Sequence, residues 1–342
     1  RPEPEVYEPA SHLFQAIVEA PRFMAALGVE ALILAGRKHT LITGYNAFTS
    51  LSGTSYVTAD LAAGEPDYFG LPVEIVTDPG TGSTIELALR NDDVEAFEGV
   101  DSASQATGAL LLFIGDEIIS LRDLTVADNL TCNDVLRGFG DTKPVPHASG
   151  SHGIIVEAAS VARIDPTPNA TSLRYYKLPA QTLVAEQQLD EINPITFRSL
   201  RRREAPLNVG TLTVGGEAIP KPTHHINLAE IELTRTFEWE EAMTFDFTRV
   251  GWDDLGFPEV DFYDPANLET VIELRTDNGQ LLASAYSLGN QISMTAPSSE
   301  THIVAEIRTR KSLPNSSTWI DSQTTLRIGI FLTKPPAPEP TE

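Results

Sequence analysis

Several residue sets in this sequence are of types that could do chemistry, and each fails on spacing. Ser151-His152 puts a hydroxyl beside an imidazole, the makings of an activated nucleophile. Neighbours on an extended chain project to opposite sides, however, and no Gly-x-Ser-x-Gly elbow surrounds the serine. The imidazoles of His224-His225 diverge for the same reason, whereas a helical zinc site uses i, i+4 histidines among three or four converging ligands. Gly80-Thr81-Gly82 has neither the lysine nor the third glycine of a phosphate loop and precedes a strand pattern, so it reads as a hairpin turn. Glu238, Glu240, Glu241, Asp253 and Asp254 do not follow the order of a calcium loop and read as solvated. Cys132 is the sole cysteine; it can form no intrachain disulfide and is expected as a buried, inert thiol. No catalytic residue, cofactor-binding residue or metal ligand is expected, and the chain does not read as an enzyme.

The elements that would have to position such groups are strands. Ile85, Leu87 and Leu89 alternate with Glu86, Ala88 and Arg90, the period of a strand with one buried face. Residues 109–114 (ALLLFI) form a short, wholly apolar run, and Gly115-Asp116 breaks it before 117–122 (EIISLR). That is a hairpin whose tight turn needs the glycine. Residues 13–18, 31–36, 71–77, 130–136, 154–157 and 160–164 read as further strands, the first in preference to a helix capped by Ser11 and broken by Pro21. Later, Phe245 and Phe247 alternate with polar residues, and strands follow at 271–274, 281–285, 303–307 and 326–332. Asn278-Gly279 is a hairpin dipeptide, and short strands at regular spacing suggest a β-sandwich.

The chain has 342 residues, 41% of them apolar, enough for more than one core. It carries 24 basic and 48 acidic side chains, a net charge of −24. A field of that sign repels nucleic-acid backbones and anionic membrane surfaces. No apolar run approaches the length of a membrane span. The sequence opens on Arg1 with no signal peptide, which suggests a piece of a longer chain.

Taken in order, a T-x-x-L-x-L strand from Thr84, the I-G-D-E-I-I hairpin at 114–119, L-R-G-x-G-x-T at 136–142 and then His147 carry a resemblance. The set is similar to the large central tail-tip (baseplate hub) proteins of long-tailed phages and gene transfer agents, and the stretch corresponds to the C-terminal part of a hub. Those proteins usually show Leu-Leu-Arg-Gly-Arg-Arg-Gly-Thr. Here Val135 replaces the first leucine, Phe139 replaces an arginine, and Asp141 follows the second glycine, so any role of the lost positive charge does not carry over.

The resemblance implies structural roles for Gly115, Glu117, Leu136, Arg137, Gly138, Gly140, Thr142 and His147, with His147 as a hydrogen-bonding group. The expected fold class is all-β and multi-domain. A linker at 1–10 leads to a β-rich hub domain at 11–168, and a second linker spans 169–192. A fibronectin type III-like β-sandwich follows at 193–333, opened near Pro194, with an insertion near 201–230, Trp252 as core tryptophan and a disordered tail at 334–342. The implied partners are other tail-tip subunits, tail fibres and a bacterial surface receptor, protein or glycan, in a homotrimer at the distal end of a virion tail. Arg201–Arg203 reads as a solvated edge. A rival reading is a carbohydrate-binding adhesion module using exposed Trp239 and Trp319. An enzyme acting on cell walls would need two converging carboxylates, which spacing does not reveal.

Overall fold

The computed structural model describes residues 12–21, 24, 31–63, 67–78, 84–90, 97–142, 144–165, 172–199, 209–219, 231–249, 268–312, 319–322 and 325–334. Outside them lie the expected linker 1–10, Ser11, the Gly80-Thr81-Gly82 turn, the Arg201–Arg203 run, His224-His225, Trp252, Asp253, Asp254 and the tail from 335 onward. Within the described residues the chain is all-β apart from single helical turns and one short α-helix, Ser102–Ala106. No apolar periodicity announces that helix. Its start is fixed by Asp101, whose carboxylate accepts the Ser104 N–H at 2.7 Å.

The chain divides into two compact units, the first comprising Arg1–Gly140 and Pro144–Arg203, the second Asp141–Lys143 and Glu204–Glu342. The largest sheet of the first unit is antiparallel and seven-stranded. Its strands run in the order Glu117–Ser120, Leu110–Ile114, His152–Glu157, Leu71–Thr77, Ile85–Leu89, Leu130–Asn133 and Asp123–Val126. Alternate residues of these strands, among them Leu71, Val73, Ile85, Leu87, Leu112, Ile119, Leu130 and Cys132, share one core that Phe97 and Val135 help to close. Each such aliphatic side chain contributes roughly 1.5–3 kcal/mol on burial. The hairpin at Gly115-Asp116 is as expected: Ile114 pairs with Glu117, and Gly115 has φ 54°, which favours glycine.

A second sheet of this unit orders Phe14–Glu19, Ala31–Gly36, Arg163–Ile164 and Leu61–Ala63. Its first strand settles the choice at residues 13–18 in favour of extended chain.

The expected linker at 169–192 is corrected by the structure. Arg174–Lys177 pairs with Phe48–Ser50, and Ala180–Thr182 pairs with Ile42–Tyr45, so both are built into the first unit. Ile195–Phe197, expected to open the second domain, pairs with Arg174–Lys177 instead. The boundary between units falls at Arg203/Glu204 rather than at 193. The reason is physical: Tyr176, fully buried, packs edge-on to Phe197 with ring centroids 6.2 Å apart. The Pro- and Ser-rich surroundings of these short strands hid contacts made with partners more than a hundred residues earlier.

The second unit is a β-sandwich. One sheet orders Glu217–Ala218, Val209–Val214, Ala242–Arg249 and Gln291–Thr295. The other orders Ile231–Glu238, Leu326–Thr333, His302–Ser312, Leu268–Arg275 and Leu281–Ser287, with Trp319–Asp321 paired to the end of His302–Ser312. Ile231–Glu238 runs parallel to the last long strand, while the other pairs of this sheet are antiparallel. Phe237, Met243, Phe245, Phe247, Ile272, Ile303 and Ile328 are among the residues meeting between the sheets. The expected insertion near 201–230 is corrected over its described part: Val209–Val214 pairs with Ala242–Arg249 and sends Val209, Leu212 and Val214 into the sandwich core, and Val214 pairs with Glu217 across Gly215-Gly216.

Candidate functional site

Glu117, Arg137, Gly138 and His147 of the ordered motif meet at one buried ion-pair cluster of the first unit. Glu117 begins the second strand of the Gly115-Asp116 hairpin, and its side chain is fully buried. Its carboxylate accepts hydrogen bonds from Arg137 Nε and Nη2, each at 2.8 Å, and from the backbone N–H groups of Gly138 at 3.0 Å and Val145 at 3.1 Å. His147 Nε2 lies 2.9 Å from the same carboxylate. Burial alone would raise the Glu117 pKa, but the bonds from Arg137 and His147 outweigh it and hold the group at about 2 against an ordinary 4.5. An ionised carboxylate only accepts, so the His147 tautomer placed here carries its hydrogen on Nε2.

Arg137 extends the cluster. Its Nη1 donates to Asp78 Oδ1 at 2.6 Å and its Nη2 to the Val145 carbonyl at 2.6 Å, while Asp78 Oδ2 accepts the His147 N–H at 2.9 Å. Asp78, immediately after Leu71–Thr77, has a fully buried side chain. The cluster therefore ties the hairpin, the end of a neighbouring strand and the 136–147 loop together through charge-assisted bonds. In the sequence Asp78 is marked only as an acid at the end of an alternating strand.

The remaining motif residues shape the loop. Leu136 exchanges two backbone hydrogen bonds of 2.9 Å with Ser120, and Gly138 and Gly140 hold φ of 61° and 64°. Phe139, where the hub family usually has arginine, is completely buried. Thr142 is buried and groups with the second unit.

Chemically the cluster is a lock. The Glu117 carboxylate is saturated with donors and shut away from solvent. A pocket of about 190 Å³ lies beside the hairpin, bounded by residues that include Val18, Glu19, Phe113, Asp116, Phe197 and Arg198. His152 begins a strand, with an exposed side chain 3.9 Å from Glu74. Cys132 is buried, and burial pushes its thiol up to about 12. Among the described residues no group of three or more His, Cys, Asp and Glu could hold a metal ion, and no helix is long and apolar enough to cross a membrane.

The tryptophans separate in role. Trp239 packs partly against the sandwich core, and its Nε1 donates to the Glu300 carbonyl at 2.9 Å. Trp319 is 39% exposed, and the Arg310 guanidinium lies 4.5 Å from its ring centroid. Among the described residues the most exposed large apolar side chains are Leu183 and Val184, at 90% and 82%. They sit on a turn held by Thr182 Oγ1, which accepts the N–H groups of Val184 and Ala185 at 3.4 and 3.1 Å.

No protein-family model matches this sequence, and no curated protein does. Among solved structures the chain is similar to the central fibronectin-III array of RIM-binding protein, at 8% identity over 80% of this chain and 72% of that one, with a TM-score of 0.21. The fibronectin(III)-like modules of Clostridium thermocellum CbhA match at 9% identity over 77% and 94%, with a TM-score of 0.18. The chicken CNTN1 FN1–FN3 domains match at 8% over 78% and 69%, with a TM-score of 0.22.

Proposed function

We propose that this chain is a structural component of a phage tail tip, part of the hub to which fibres attach and through which the host surface is met. One observation carries the reading. Arg137, Gly138 and His147, three of the motif residues behind the resemblance to hub proteins, converge on the carboxylate of a fourth, Glu117, thirty positions before His147. Residues held together in this way act as one structural unit, which favours a shared architecture over chance similarity of short motifs.

The work of such a chain is assembly and recognition. Sheet edges, and turns such as the one presenting Leu183 and Val184, supply contact surfaces, and the fibronectin type III-like unit serves as spacer or adhesion module. The carbohydrate-binding rival draws less support, because the Trp239 indole is tied to Glu300 and Trp319 shares its face with Arg310.

Deleting the coding segment from a particle-producing cell tests the proposal. The expected particles have tails that fail to complete their tips or to adsorb, and the intact chain supplied in trans restores them. Particles of normal form and full adsorption would overturn the reading.

A further inference from the structure

The pocket beside the Gly115-Asp116 hairpin lies where three sheets of the first unit meet. Phe14–Glu19, Glu117–Ser120 and Ile195–Phe197 each come last in the strand order of their sheets, and residues of all three line it. Its floor is apolar and buried: Ile17, Phe113, Ile118 and Phe197 are each at most 6% exposed. Two acidic residues join that floor, Glu117 and Glu19, the latter 7% exposed. Gly115, Asp116, Thr196 and Arg198 are exposed and form the rim.

Size and charge together narrow what could enter. At about 190 Å³ the pocket is smaller than the roughly 300–1,000 Å³ clefts that enclose drug-sized ligands, and it has room for one side chain. The apolar floor suits an aliphatic stem. The lining charge suits a cation, because Glu19 and Asp116 stand against Arg198 alone, while Glu117 is already bonded to Arg137, Gly138, Val145 and His147. A carboxylate offers roughly four acceptor sites, so the contacts that Glu19 and Asp116 make within the chain leave capacity for a further donor. A compact ammonium with three donors on a flexible stem suits acceptors at two depths of so small a space, whereas a planar guanidinium suits one carboxylate met edge-on. The net charge of −24 draws a basic partner toward the surface.

We propose that this pocket receives a lysine side chain presented by a partner protein. The methylene stem lies along Phe113, Ile118 and Phe197, and the ammonium donates to Glu19 within and Asp116 at the rim. The partner's main chain stays outside, across Thr196 and Arg198. The inference stands apart from the tail-tip reading, since it rests on the cavity and its lining alone.

Amide chemical shifts of the full chain, titrated with lysine capped at both ends (Nα-acetyl, N-methylamide), test it. The capped norleucine analogue, which keeps the stem and lacks the ammonium, is titrated beside it. Capped lysine is expected to give saturable shifts centred on Val18, Gly115, Asp116 and Thr196, at the roughly millimolar affinity that one side chain can supply. Norleucine is expected to bind roughly tenfold more weakly or less, and Glu19→Gln to weaken lysine binding by a similar factor, since each removes a charge-assisted bond. Thr196→Phe narrows the mouth without changing any charge, and binding is expected to be lost. Shifts that never saturate and scatter over surface carboxylates overturn the proposal. So does equal binding of norleucine, or lysine binding undiminished in Thr196→Phe. Should Glu19→Gln fail to fold, Thr196→Phe and the norleucine comparison decide.

Discussion

Arg137 shows most plainly how single side chains hold the first unit. It is 5% exposed and neutralises two carboxylates, Glu117 and Asp78, whose side chains are fully buried. Arg137→Met would leave both acids without their cation. Breaking a buried pair from one side costs about 3–5 kcal/mol, enough to threaten folding of a domain of ordinary stability. Denaturant unfolding of the variant beside wild type measures this. Glu117→Gln is expected to cost less, because an amide oxygen still accepts some of the same donors. Glu117 also sets an acid limit. Its pKa falls from 4.5 in the unfolded chain to about 2 in the folded one, so its contribution is present above pH 4.5 and is lost as pH falls toward 2. An acid titration of wild type and Glu117→Gln should differ within that window. Of this cluster, Glu117, Arg137, Gly138 and His147 were legible in the sequence through motif order. Asp78 was not, because its partner stands 59 positions away and nothing local announces it.

At the scale of elements, alternation carried far. The strands Leu71–Thr77, Ile85–Leu89 and Leu268–Arg275 lie where one-face or two-face apolar patterns put them. Arg174–Lys177 and Ala180–Thr182 were read as linker because short strands among turn-forming residues have no periodicity of their own; they exist through pairing with strands near the start of the chain. The sandwich also contains a clamp that the sequence did not announce. His302 Nδ1 lies 2.6 Å from Asp277, in the turn between Leu268–Arg275 and Leu281–Ser287. Its Nε2 lies 3.3 Å from Glu232 on the parallel edge strand, and its ring packs on Phe331. Burial would lower the His302 pKa, but the two carboxylates outweigh it and raise the value above 6.5. A raised folded-state pKa means that the clamp contributes fully below pH 6.5 and is lost as pH rises through the folded value. Thermal midpoints taken across that range should fall for wild type on going basic. The His302→Gln variant should lack that step; equal slopes for the two proteins would show that the clamp contributes nothing.

The whole molecule is two all-β units in a chain with a net charge of −24. Fold class and the existence of a sandwich could be read from strand spacing and turn residues. The boundary between the units could not, since it is set by which strands pair across long separations, and local composition pointed about ten residues too early. Function is legible here only through the resemblance, because the buried cluster binds the protein to itself and the contact surfaces depend on partners. The tail-tip proposal therefore meets its most direct test on intact particles, with gold-labelled antibody raised against this chain and imaged by electron microscopy. Label confined to the distal end of tails is the expected result. Particles that carry no label, with the protein found free or on cell surfaces, would contradict it.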